Sequence, residues 1–236
     1  MAYQMVLAIH IGFGILALVA VPVLLVLPKG DRRHARLGLG YVVGMTGVFL
    51  TTLLLVVLKP NPFLFAVGLF SFYLVFSGWR AARQGRGANG WLDRAAAAAM
   101  AVTGLAMVAL GGWGHATDGN ARMAVMAVFG LIGGLFAIED LRGALGQTGR
   151  ARIARHLGRM LGGTIATLTA VAVVNLAAWP TLVVWLGPTV LLTPLIALWS
   201  RRVMRGEGFR LFGRADGVAG SALRERGVAG SASRAE

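Results

Sequence analysis

Apolar residues fill seven stretches of this chain, and short polar breaks separate them. The stretches run Val6 to Leu27, Leu37 to Leu58, Phe63 to Trp79, Ala95 to Trp113, Met123 to Ile138, Met160 to Ala178 and Thr181 to Trp199. A helix needs about 17–25 such residues to cross a bilayer, so the shorter stretches must borrow from their flanks. Several breaks contain proline or glycine, as in Pro28-Lys-Gly-Asp31, Lys59-Pro-Asn-Pro62 and Trp179-Pro180. Pro22 falls inside the first stretch and predicts a kink there, which a membrane helix tolerates. The pattern predicts an all-α, polytopic transmembrane helical bundle of seven spans over residues 1–200. A re-entrant Trp179-Pro180 turn would reduce the count to six.

The sharpest boundary lies between Arg150 and Asn175. Arg150, Arg152, Arg155 and Arg159 surround His156, and a small-residue apolar helix begins at Met160. Headgroups and water accept guanidinium groups, whereas the hydrocarbon core does not. The same contrast recurs along the chain and orients it. Basic residues collect in the first, third and fifth breaks and in the tail; the second and fourth hold only Lys59 and Arg122, and the sixth holds none. Lys and Arg gather on the cytoplasmic side. The expected topology therefore has the N-terminus outside and the C-terminus in the cytoplasm. The opening Met1-Ala-Tyr-Gln lacks a positive region and no small-residue cleavage site follows, so the first stretch reads as a retained span.

Composition supports this class. Hydrophobic residues make up 57% and charged residues only 14%, against about 25% charged in soluble domains. A net charge of +14 would suggest nucleic acid in a soluble chain. Placed between apolar stretches, it points instead to membrane lipids, with anionic headgroups at the cytoplasmic face as partners. Twenty-one of the basic residues are Arg, a usage that suggests a GC-rich bacterium and hence a bacterial cytoplasmic (inner) membrane. The absence of cysteine removes disulfides, thiolate metal sites and cysteine nucleophiles. Residues 201–236 form a basic tail, within which Gly217-Val-Ala-Gly-Ser-Ala222 is repeated as Gly227-Val-Ala-Gly-Ser-Ala232. Such material cannot bury enough apolar surface to fold alone, and disorder is expected.

Candidate chemistry is sparse. His10 and His115 lie near the outer ends of the first and fourth stretches, and His34 and His156 near the inner ends of the second and sixth. One pair near each face matches, in count and sidedness, the two-haem transmembrane cytochromes, where paired imidazoles hold haem b. Against that, His34 and His156 are set among arginines at headgroup depth. Glu139 and Asp140 are the acidic pair at a span end, and a carboxylate there is expected to pair with Arg142, Arg159 or a histidine. The expectation is one inner polar cluster of Asp140, Glu139, Arg159, His156 and His34, clasping the second, fifth and sixth spans. The alternative is a proton or cation site at the inner mouth of a transporter-like cavity. In the sixth stretch, Gly158, Gly162, Ala166 and Ala170 form a small-residue stripe suited to close packing. Thr164 and Asn175 share another face, and Asn175 is expected to bond a neighbouring helix. Gly12, Gly14, Gly38, Gly40, Gly44, Gly133 and Gly134 read as packing glycines. No phosphate loop, nucleophile elbow or zinc-helix motif is present, which leans away from an enzyme.

Asp140-Leu-Arg142, His156-x-x-Arg159-Met160, Ile165-Ala-Thr-x-Thr-Ala170, Val173-Val-Asn175 and Leu186-Gly-Pro-Thr189 resemble an uncharacterised bacterial multi-pass membrane family, a domain of unknown function of the 2306 type. His10-x-Gly12 and His34-x-x-x-Gly38 are similar to its first two helices. The resemblance implies a helical bundle of a bacterial inner membrane and brings no activity, substrate or cofactor. Two readings follow: a membrane bundle with structural histidines, transporter-like or scaffolding, or a b-type haem protein passing electrons across the membrane.

Overall fold

The computed structural model describes residues 1–83, 90–143 and 147–207, with only the backbone of Val174. Seven α-helices account for these residues: α1 Ala2–Val26, α2 Arg32–Leu58, α3 Pro62–Arg83, α4 Trp91–Asp118, α5 Ala121–Leu141, α6 Gly149–Asn175 and α7 Thr181–Arg205. No strand occurs among them. Residues 84–89 of the third break, 144–146 of the fifth and the repeat-bearing tail lie outside the described residues; the first residues of the expected tail, 201–205, continue α7 as helix.

The turns follow from local chemistry. Asp31 caps α2 by accepting from the His34 backbone N–H at 2.6 Å. Asn61 does the same for α3 at Leu64, and Pro62 occupies the first helical position, where its missing N–H costs nothing. Gly119 takes the left-handed conformation (φ +62°) that ends α4, and Asn120 caps α5 immediately after. Lys29 reaches back to the carbonyls of Leu24, Leu25 and Leu27 at the end of α1, and burial lowers its pKa. Helix α1 runs unbroken through Pro22.

Six helices are long and apolar enough to cross a membrane, and α6 is the exception. Its first half is the arginine cluster, which belongs to the helix rather than to a loop. No proline lies between Arg150 and Arg159, Gly158 is the one weak helix former there, and Arg, Ala and Leu favour a helix. The apolar part after Arg159 is about 24 Å long at 1.5 Å per residue, short of the ~30 Å hydrocarbon core. Neighbours compensate: α6 packs against α3 and α7. Two tight pairs, α1 with α2 and α4 with α5, flank this group. Helix α3 touches α2, α4, α5 and α6, and its apolar window is the most buried of the six at 50%, against 11% for α7. It is the central post of the bundle.

Two apolar clusters form the interior. Phe70, Tyr73, Met100, Phe129 and Trp185 anchor one, and Ala17, Tyr41, Met45 and Val75 the other. Large side chains also point outward, among them Leu105, Val190 and Leu191. So continuous an apolar exterior suits lipid and not water. The chain is an all-α bundle built to be membrane-embedded.

The glycines divide differently from the sequence expectation. A Cβ on Gly12, Gly14 or Gly40 would meet nothing within 4 Å. Close approach occurs at Gly44 and Gly133, and above all where α4 crosses α5. There a Cβ on Gly104 would lie 2.7 Å from the Gly130 carbonyl oxygen and 2.9 Å from the Gly134 nitrogen.

Candidate functional site

Asp140, in the last turn of α5, is 1% exposed and accepts from three side chains. Tyr73 of α3 donates its hydroxyl to Oδ2 at 2.5 Å. Arg155 Nε and Arg159 Nη2 of α6 both donate to Oδ1 at 3.0 Å. Arg155 and Arg159 lie four apart, hence on one face of α6, which turns them together onto the carboxylate. Arg159 Nη2 also donates to the Phe136 carbonyl at 3.1 Å and reaches Glu139 at 3.3 Å. Its guanidinium lies 3.8 Å from the Phe136 ring centroid. Both arginines are buried, at 9% and 3% exposure, while the Glu139 side chain is 56% exposed. Two buried cations therefore face one buried anion.

This cluster unites α3, α5 and α6, not α2, α5 and α6. Asp140, Glu139 and Arg159 meet as their sequence spacing suggested; Arg155 and Tyr73 complete the set. His156 turns about 100° away from Arg155 on the helix, and its Nδ1 bonds the Gly78 carbonyl of α3 at 2.8 Å. His34, at the start of α2, lies close enough to His156 for their charges to interact. No described hydrogen bond or ion pair joins either imidazole to Asp140. A cation at this carboxylate would have to displace two guanidinium groups, which disfavours a proton or cation site there.

The outer histidines each have a hydrogen-bond partner of their own. His10 Nδ1 bonds the Thr51 hydroxyl of α2 at 2.9 Å, and exposed His115 bonds the Asn120 carbonyl at 3.3 Å. They sit on α1 and α4, which belong to the two separate tight pairs. Among the described residues no group of three His, Asp or Glu side chains is gathered for a metal ion.

Asn175 also departs from expectation. It ends α6, is exposed, and donates to the Val171 carbonyl of its own helix at 2.8 Å. Thr164 is buried and bonds the Met160 carbonyl. A second ion pair escaped the sequence reading. Arg80 of α3 binds Asp93 of α4 through two contacts of 2.8 Å, and Asp93 accepts from the Gly90 N–H as a helix cap. Asp93 falls in the polar break before the fourth apolar stretch; its position three residues after a glycine, within the first helical turn, is the signal for a cap.

A groove of about 1490 Å³ runs along α6 between α1, α2, α3, α5 and α7. Gly158, Gly162, Ala166 and Ala170 line it together with Arg155 and Arg159. The small-residue stripe mostly opens space: a Cβ on Gly158 would meet only Ile196, at 3.9 Å. Gly162 is the tighter point, 3.2 Å from Leu74. Arg155, Arg159 and Glu139 line one end, Lys59, Asn61 and His10 the other, and the walls between are mainly apolar. No family model, no curated protein and no solved structure matches this chain.

Proposed function

We propose that the protein is a multi-pass bundle of a bacterial inner membrane that binds a lipid-like amphiphile in the groove beside α6. The groove carries the reading. Its volume of about 1490 Å³ exceeds the roughly 300–1,000 Å³ of ordinary small-molecule sites, and its walls are mainly apolar between two polar ends, with the two buried arginines at one of them. A role in holding lipid needs no catalytic constellation. The Asp140 cluster then serves as the clasp that fixes α3, α5 and α6 around one end of the groove. The uncharacterised bacterial membrane family is the proposed home of the chain.

A long-chain acyl fluorophore should bind the purified protein saturably, and Ala166→Leu, which puts bulk into the groove, should weaken binding by roughly tenfold. Equal binding by both proteins would remove the groove from consideration. The proposed orientation places the arginine-rich end in the cytoplasm. Reporter fusions after Gly90 and after Gly146 (the latter outside the described residues) should both report cytoplasm. A periplasmic signal at either position would refute it.

A further inference from the structure

The polarity of the groove identifies the headgroup its occupant carries. Five buried side-chain atoms find no hydrogen-bond partner among the described residues: His34 Nδ1, Arg155 Nη2, Arg159 Nη1, Thr169 Oγ1 and Thr189 Oγ1. All but the first belong to residues that line the groove. Buried donors are normally satisfied, and an unpaired guanidinium nitrogen is the costliest kind to leave alone. The two arginine nitrogens belong to guanidinium groups that both bond Asp140 Oδ1 at 3.0 Å, so they gather around one carboxylate. Their buried partner Asp140 neutralises only one of the two charges; Glu139, which Arg159 Nη2 also reaches at 3.3 Å, is an exposed carboxylate at the mouth.

We propose that this end of the groove is a subsite for the phosphate of an anionic bilayer lipid, held by Arg155 and Arg159. The inference rests on the groove reading above and adds the headgroup to it. One negative charge would balance the buried excess, and phosphate oxygens match the donor pattern of guanidinium groups. The floor beyond the arginines is Gly158, Gly162, Ala166 and Ala170, open and apolar, with room for acyl chains running toward the bilayer centre. Charged head followed by apolar length is the order of groups in a phospholipid. The arginines also stand where the apolar part of α6 begins, which is headgroup depth.

The full chain, purified in detergent, is titrated with phosphatidylglycerol, with phosphatidylcholine of the same acyl chains, and with inorganic phosphate. Binding is read by native mass spectrometry and by melting temperature. Phosphatidylglycerol should bind at least roughly tenfold more tightly than phosphatidylcholine, and inorganic phosphate should protect little at millimolar levels. Arg155→Gln should abolish the preference while both lipids still bind. Arg201→Gln, which removes an exposed arginine at the same end, should keep it. Both lipids carry a phosphate and differ in net charge, so equal affinity in the unaltered chain overturns the subsite for an anionic lipid and leaves the groove reading standing. Binding of neither lipid, or binding of both untouched by Ala166→Leu, overturns the groove itself. Protection by inorganic phosphate equal to that by the lipid would show a free-anion site and overturn the lipid occupant. Should Arg155→Gln fail to fold, the two-lipid comparison on the unaltered chain still decides.

Discussion

Asp140→Asn should cost roughly 3–5 kcal/mol of stability, the usual penalty for breaking a buried ion pair by removing one partner. The carboxylate has both oxygens engaged, by the Tyr73 hydroxyl on one side and two guanidinium nitrogens on the other. An asparagine of the same shape presents one oxygen and one N–H₂. With its oxygen toward the guanidinium groups it sets N–H₂ against the Tyr73 hydroxyl, which must then accept instead of donate; in either orientation two buried cations lose their buried anion. Folded membrane proteins have little stability to spare, so the yield of monodisperse protein in fluorescence-detected size exclusion should fall severalfold. Tyr73→Phe, which deletes one donor, should cost only about 1 kcal/mol. Arg155→Gln added to Asp140→Asn should restore part of the loss, because it removes one uncompensated charge. Normal melting of Asp140→Asn would show that the cluster is not what holds α3, α5 and α6 together.

Gly104→Leu is expected to be of comparable severity for a steric reason. The added Cβ would lie 2.7 Å from the Gly130 carbonyl oxygen and 2.9 Å from the Gly134 nitrogen. Both are backbone atoms, so no side chain can swing aside and the helices themselves must part. Overpacking a core costs about 1–3 kcal/mol when side chains absorb it; separating α4 from α5 should reach or exceed the upper figure. Gly12→Ala is the matched control. Its Cβ meets nothing within 4 Å, and replacing a helical glycine by alanine should stabilise by roughly 0.5–1 kcal/mol. Opposite signs in the two melting curves would establish that glycines in this bundle act through specific crossings. A tolerated Gly104→Leu would contradict the close α4–α5 contact.

These expectations separate what could be read along the chain from what could not. The helices could be read, because each apolar stretch is bounded by residues that end or start helices for local reasons, such as Pro62, Gly119 and Asn120. The need of Asp140 for a cationic partner could also be read, since an unpaired buried carboxylate is unaffordable anywhere in a protein. The boundaries of α4 and α6 could not, because hydropathy marks the end of the apolar stretch and not the end of the helix. Arg155 and Asp93 thus fall in polar breaks of the sequence although both lie on helices.

By itself, then, the sequence determined the number of helices, their order, the gathering of arginine at one end, and the demand for ion pairing there. The tertiary structure alone decided which partners met: Tyr73 and Arg155 at Asp140, Gly78 at His156, and Thr51 at His10. It also decided that the small-residue stripe of α6 faces a groove. The reason is physical. In a soluble protein water sorts each helix into an inner and an outer face. In a bilayer both faces are apolar, so the pattern along a helix says little about which side meets a neighbour. That choice is made by the fit of side chains, by glycine crossings such as Gly104 on Gly130, and by the few buried charges that must find each other.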